Sequence, residues 1–153
     1  MLAGQITQRR KIELIPHLEP VPGKSGEILF QPELGCLCGS DIPFFQAQHP
    51  EYPLQLGLSL HEMVGTVVWS DGTRFQVGQK VLAVPPNHIG IFERFAISES
   101  LVVPLDVRRP LEQMIVSQPL GTVLYGLRML PNLLGWNIVV VGPGPIGQLL
   151  NAA

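Results

Sequence analysis

A chain of 153 residues with a net charge of −2, 46% hydrophobic and 14% charged residues, has room for one domain and part of another, and enough apolar side chains for a sizeable core, which argues against disorder. It has no basic face to meet nucleic acid and no apolar run long enough to span a bilayer. The one basic run, Arg9, Arg10 and Lys11, is interrupted at once by Glu13, Pro16, His17 and Glu19; it lacks the apolar segment of an export signal and reads as an exposed strand end or turn. No membrane partner is expected, and a cytoplasmic location is the default.

Leu2 to Pro16 holds two short strand-like runs around that basic turn, after which Pro20, Pro22 and Gly23 break the chain. Glu27 to Leu34 alternates, with Ile28, Phe30 and Pro32 on one side and Leu29, Gln31 and Glu33 on the other, and predicts a strand. It leads directly into Gly35 to Asp41, GCLCGSD. A loop through Phe44, Phe45, Tyr52 and Pro53 ends at Gly57, and its aromatics, with Trp69, are expected in the core rather than in a pocket. Val64 to Trp69 is a further strand, closed by an Asp71–Gly72 turn. Phe75 to Pro86, FQVGQKVLAVPP, predicts a turn at Gly78 and a strand over Lys80 to Val84; Glu93 to Ile97 and Leu101 to Leu105 predict two more. Many short strands punctuated by fifteen prolines and sixteen glycines point to a mainly β fold, a small, partly closed barrel.

The pattern turns helical after Pro110. Ser117 is placed to cap a helix, Pro119 is tolerated in its first turn, and Leu120, Val123, Leu124, Leu127 and Leu130 recur at helical spacing until Pro131. The domain boundary is set there, giving residues 1–131 and 132–153. The second segment opens with Ile138 to Val141, a continuous apolar run suited to a strand buried on both faces, followed by Gly142, Gly144 and Gly147 and a helix start. In a Gly-x-Gly-x-x-Gly turn the first glycine permits the bend, the second lets a pyrophosphate approach the backbone, and the third lets helix pack on strand. The helix N-terminus supplies free N–H groups to the phosphates. The acidic residue expected about 20 residues later, which would hold the ribose hydroxyls, falls beyond Ala153, so the motif opens a nucleotide-binding domain that these residues do not complete.

Cys36 and Cys38 are too close in sequence for an unstrained disulfide, and two reduced thiols point to a metal or catalytic role for at least one. Zinc takes thiolate, imidazole and carboxylate ligands and keeps one position for water or substrate at a catalytic site. Cys38 can supply the thiolate and His61 the imidazole. The order of Cys38 in GCLCGSD, His61-Glu62 in LGLSLHEMVG, FQVGQKV, FERFAISES, SQPLG and the turn at Gly142 resembles the medium-chain, zinc-dependent alcohol and polyol dehydrogenases. The resemblance implies a chaperonin-10-like (GroES-like) catalytic barrel followed by a Rossmann α/β domain, here the barrel, a linking helix and the first strand, turn and helix. It implies one catalytic zinc on Cys38, His61 and Glu62, with Ser40 passing the alcohol proton and Asp41 holding the histidine from behind. NAD or NADP would bind through Gly142, Gly144, Pro145, Ile146 and Gly147, and the substrate would be a small alcohol, polyol or carbonyl compound whose hydride passes from a zinc-bound alkoxide to the nicotinamide. Cys36 matches an apolar position and reads as core. His17, His49 and His88 match nothing and read as surface histidines. The resemblance also implies that the full-length form is a homo-oligomer.

Four features depart from the family pattern. Gln118 stands where a third ligand, Cys or Glu, precedes Pro-Leu, and an amide oxygen is a weaker, neutral ligand. Leu60 replaces the glycine before the histidine, and Pro43 occupies the place of a proton-relay histidine. The segment after Pro85 and Pro86 has no cysteines, so no structural zinc is expected. The leading reading is the catalytic part of a zinc-dependent NAD(P) dehydrogenase, inactive as 153 residues alone because half of the hydride-transfer cleft is missing. A zinc-free enone or quinone reductase of the same superfamily, favoured by Gln118 and Leu60, and a non-catalytic remnant or binding domain are the alternatives.

Overall fold

The computed structural model describes residues 1–71, 74–106 and 108–153. Gly72, the second residue of the expected Asp71–Gly72 turn, lies outside them. The chain divides into two compact units, Met1–Ile115 and Val116–Ala153.

In the first unit, β1 (Leu2–Gln8) and β2 (Lys11–Pro16) form an antiparallel hairpin. Arg9 and Arg10 make its exposed turn, as the basic run implied. The rest of the unit is β3 (Glu27–Cys36), α1 (Ile42–Gln46), β4 (Glu62–Ser70), β5 (Lys80–Ala83), β6 (Phe95–Ser98), β7 (Val102–Pro104) and α2 (Leu111–Met114). The five strands β6-β3-β4-β5-β7 form one antiparallel sheet. With β6 and β7 left as edges the sheet does not close, and the expected partly closed, mainly β, GroES-like fold is what the residues form.

Alternation decides what the sheet buries. Ile28, Phe30, Met63, Val67, Val81 and Ala83 lie on one face with Phe95, Ile97 and Val102, and Phe30 meets Phe95 edge-on with ring centroids 5.4 Å apart. On the other face Val64 and Leu82 pack with Ile115, Leu34 and Cys36. β3 thus changes sides along its length, from Phe30 on the first face to Leu34 and Cys36 on the second. Its pairing with β4 shifts register between Leu29 and Phe30 and again between Pro32 and Leu34. Pro32 has no N–H to give the ladder, and an extra residue in one strand turns the residues after it toward the other face. Cys36 is consequently packed among apolar side chains, in line with the apolar position that the resemblance gave it.

Two short helices were not legible in sequence. α1 is a single turn with Pro43 near its start, and α2 is four residues long; neither has the length for a periodic pattern. The aromatic residues also differ from expectation. Phe44, Phe45 and Tyr52 are only half-buried, Trp69 is 41% exposed, and none joins a core cluster.

The second unit holds α3 (Ser117–Arg128) and α4 (Pro145–Ala152), which pack together. Ser117 is the first helical residue rather than the cap; Val116 occupies the cap position and no side chain caps this end. α3 groups by its contacts with the residues after it. Ile138–Val141 forms no strand, and Val139 and Val141 are 83% and 95% exposed. A strand needs a neighbouring ladder, and no described residue pairs with this run.

Candidate metal centre

The donor residues meet because of the register between β3 and β4. Cys36 at the end of β3 pairs with Glu62 at the start of β4. In an antiparallel pair, the chain just past the first strand's end faces the chain just before the second strand's start. Cys38 and His61 are those flanking residues. The ligating atoms of Cys38, His61 and Glu62 lie within 4.8 Å of one another, with His61 Nε2 3.9 Å from Glu62 Oε1. The side chains of His61 and Glu62 are 14% and 12% exposed, so the donors are mostly shielded yet reachable.

Asp41 ties the two donor loops together. It is 3% exposed, and its Oδ2 accepts the Cys38 backbone N–H at 2.7 Å. Its Oδ1 accepts the Ser59 hydroxyl at 2.5 Å and the Leu60 N–H at 3.1 Å. A buried carboxylate carrying three donors is strongly held, and here each bond joins the Cys38 loop to itself or to the segment before His61. Asp41 Oδ1 is 3.8 Å from His61 Nδ1, close enough for electrostatic attraction but beyond a hydrogen bond. Ser40 is exposed on the turn beside Asp41.

Leu60, which replaces the family's glycine, adopts φ +68°. That left-handed conformation suits glycine and costs a branched residue on the order of 1–3 kcal/mol. The Leu60 side chain packs against the main core, which offsets the strain and holds the backbone open toward Asp41.

His88 is the residue that sequence reasoning missed. Its Nδ1 lies 3.0 Å from His61 Nδ1, the two rings crossing with centroids 4.4 Å apart, and Asp41, His61 and His88 form a second group of possible metal donors. The other two histidines do lie apart: His17 is exposed and tilts against Phe92, and His49 contacts the Pro43 and Phe44 carbonyls. Beside the centre, a cavity of about 410 Å³ is lined by Leu37, Ile42, Phe45 and Leu60, with Asp41, Gln46 and Ser59 as its polar residues.

The donor set fits zinc. Bonds of about 2.0–2.3 Å place tetrahedral donor atoms roughly 3.5 Å apart, so atoms already within 4.8 Å need only small side-chain adjustments. In the second unit, Gln118 lies in α3. The glycine turn there has the form a dinucleotide cradle needs: Gly142 has φ +110°, and a Cβ on Gly147 would stand 1.9 Å from the Gly142 carbonyl oxygen. α4 starts at Pro145 with Gly144 as its cap and no capping side chain, leaving its N-terminal amides for a ligand.

Residues 24–99 match the family of alcohol dehydrogenase GroES-like domains. The chain is 30% identical over 164 residues to an uncharacterized zinc-type alcohol dehydrogenase-like protein of Haemophilus influenzae, covering 85% of this chain and 46% of that protein. It is 26% identical over 161 residues to L-idonate 5-dehydrogenase (NAD(P)(+)) of Escherichia coli, covering 82% and 46%. Galactitol-1-phosphate dehydrogenase from Escherichia coli shares the fold, with a TM-score of 0.79 at 18% identity over 98% of this chain and 51% of that one. Residues 24–99 therefore carry the alcohol dehydrogenase GroES-like domain, and the chain as a whole is similar to zinc-type alcohol dehydrogenase-like proteins. It spans about half the length of the curated relatives it matches. No helix among the described residues is long and apolar enough to cross a membrane.

Proposed function

We propose that this chain is the zinc- and substrate-binding part of an NAD(P)-dependent alcohol or polyol dehydrogenase. The observation that carries the reading is the convergence of Cys38, His61 and Glu62 within 4.8 Å, all from one compact unit. Residues 1–131 serve as the catalytic domain and residues 132–153 open the dinucleotide domain. One zinc ion would be held by Cys38, His61 and Glu62, leaving a fourth position open; bound there, it would act as a Lewis acid on a substrate hydroxyl or carbonyl oxygen.

The chain's own side chains do the rest. Asp41 fixes the spacing of the Cys38 and His61 loops through its three hydrogen bonds. Exposed Ser40 accepts the substrate proton and passes it to water, since Pro43 offers no relay. The Gly142–Gly147 turn with Pro145 and Ile146 receives the pyrophosphate of NAD or NADP against the N-terminus of α4. Because Glu62 supplies the third donor, Gln118 is not needed as a ligand. Hydride transfer needs the nicotinamide placed against the substrate, so the 153 residues assayed alone give no NAD(P)H-linked alcohol oxidation.

Gln118 and the strained Leu60 favour a second reading, a zinc-free enone or quinone reductase. Metal analysis of the purified chain separates the two. Stoichiometric zinc, lost on replacing Cys38 with serine, supports the dehydrogenase; a chain that binds no zinc under metal-replete conditions rejects it.

A further inference from the structure

The loop Pro85–Gly90 is fastened across the donor loops. The Gly90 N–H donates to the Ser59 carbonyl at 2.9 Å, and Ile89 bridges Leu58 and Ser59. The contact is close: a Cβ on Gly90 would lie 2.4 Å from the Leu60 carbonyl oxygen. Among the described residues, four non-glycine positions have positive φ, and three of them, Leu60, Asn87 and His88, sit in this contact. Strain of that kind persists only where the surroundings over-determine it, and it clusters at functional sites. Here its effect is to bring His88 Nδ1 to 3.0 Å from His61 Nδ1.

A nitrogen-to-nitrogen contact of that length is a hydrogen bond with one proton between the rings. Its direction is set by the task of the other nitrogen. His61 Nε2 is the atom beside Glu62, and to ligate a metal it must present a lone pair, which puts the proton on Nδ1. Asp41 cannot take that proton: its Oδ1 is 3.8 Å away and already accepts from Ser59 and Leu60. His88 Nδ1 is the acceptor within reach, and His88 then carries its own proton on Nε2. A metal-ligating histidine is ordinarily oriented by a partner on its other nitrogen, and here that partner comes from a loop that carries no motif for the role.

We propose that His88 is the positioning residue of the metal centre, accepting the His61 Nδ1–H and so fixing the tautomer in which Nε2, the nitrogen beside Glu62, keeps its lone pair for the metal. The proposal rests on the zinc reading above. The test measures Zn²⁺ affinity by chelator competition for the unsubstituted 153-residue chain, His88→Ala and His88→Gln, with long-range ¹H–¹⁵N histidine spectra of the unsubstituted chain, metal-free and Zn²⁺-loaded. The expected results are a loss of about 10-fold or more in affinity for His88→Ala, substantial recovery in His88→Gln, whose amide oxygen can accept the same proton, and a proton on His61 Nδ1 and on His88 Nε2. Equal affinity of the unsubstituted chain and a folded His88→Ala overturns this inference and leaves the zinc site standing. So does a Co²⁺ ligand-field spectrum that changes in His88→Gln, which would make His88 a direct ligand. Failure of the unsubstituted chain to bind zinc overturns the zinc reading itself. The metal-free spectra still judge the His61–His88 bond, and a proton on His61 Nε2 there ends the proposal.

Discussion

The two units of this chain carry comparable sequence signals but realise them unequally. In Met1–Ile115 every predicted strand finds a neighbour, and the strand ends deliver Cys38, His61 and Glu62 to one place. In Val116–Ala153 the run Ile138–Val141 is the most strand-like in the sequence, yet it pairs with nothing described and is largely exposed. A β-signal is therefore a statement about a partner. β3 has β4 and β6 on its two sides, whereas Ile138–Val141 has helices α3 and α4 in its unit but no strand. A site assembled from a completed ladder is positioned within its own unit. The glycine turn of the second unit has its local form, but the run before it pairs with no strand among the described residues.

Substitutions should expose that contrast most sharply in the core. Phe30→Ala, at a fully buried position, should cost about 3–5 kcal/mol in denaturant unfolding, whereas Val141→Ser, 95% exposed, should stay within about 0.5 kcal/mol. A comparable loss at Val141 would mean that the second unit hides a packed strand. Asp41→Ala comes next. It leaves the Cys38 and Leu60 amides and the Ser59 hydroxyl without their acceptor, and should cost about 2–4 kcal/mol, since each stranded buried group costs roughly 1–3 kcal/mol. Zinc affinity should fall with it. Gly90→Ala should destabilise by about 1–3 kcal/mol, because the atom its Cβ would strike is the Leu60 carbonyl; a neutral result would show that the two loops can separate.

The smallest effect is electrostatic. Glu33 on β3 accepts from Lys80 Nζ at 2.5 Å and from the Thr66 hydroxyl, and the Lys80 and Thr66 side chains hold its carboxyl below the ordinary glutamate range. A depressed folded value means that the stabilisation is fully present above the unfolded value and is lost as pH falls through the folded one. With both side chains about a third exposed, the contribution should be under about 1 kcal/mol and shrink with salt. In Lys80→Met, acid titration of stability should lose that component; an unchanged acid limb would show that the pair contributes nothing.

The legible parts of the fold were those governed by local period. Ile28 and Phe30 announced β3, and the turn residues around Lys80 announced β5. The side change of β3 past Pro32 was not legible, because it depends on how β4 pairs with it. At the site, residue type pointed to Cys38 and His61, the family resemblance added Glu62 and set Cys36 apart at an apolar position, and the structure brings the donors of Cys38, His61 and Glu62 within 4.8 Å of one another. His88 was not found, since no spacing along the chain tells that a loop 27 residues later folds back onto His61. The available signal was Pro-Pro-Asn-His-Ile-Gly: Asn87 tolerates a left-handed turn, and Gly90 permits the close approach.

The zinc reading stands on one property, that the first unit alone assembles a thiolate-containing metal site. Titrating the metal-free chain with Co²⁺ and recording its absorption probes that property without any need for turnover. One equivalent should bind, with a thiolate-to-cobalt charge-transfer band that survives Cys36→Ala and disappears in Cys38→Ser. A spectrum without that band, or one abolished by Cys36→Ala and retained in Cys38→Ser, would contradict it.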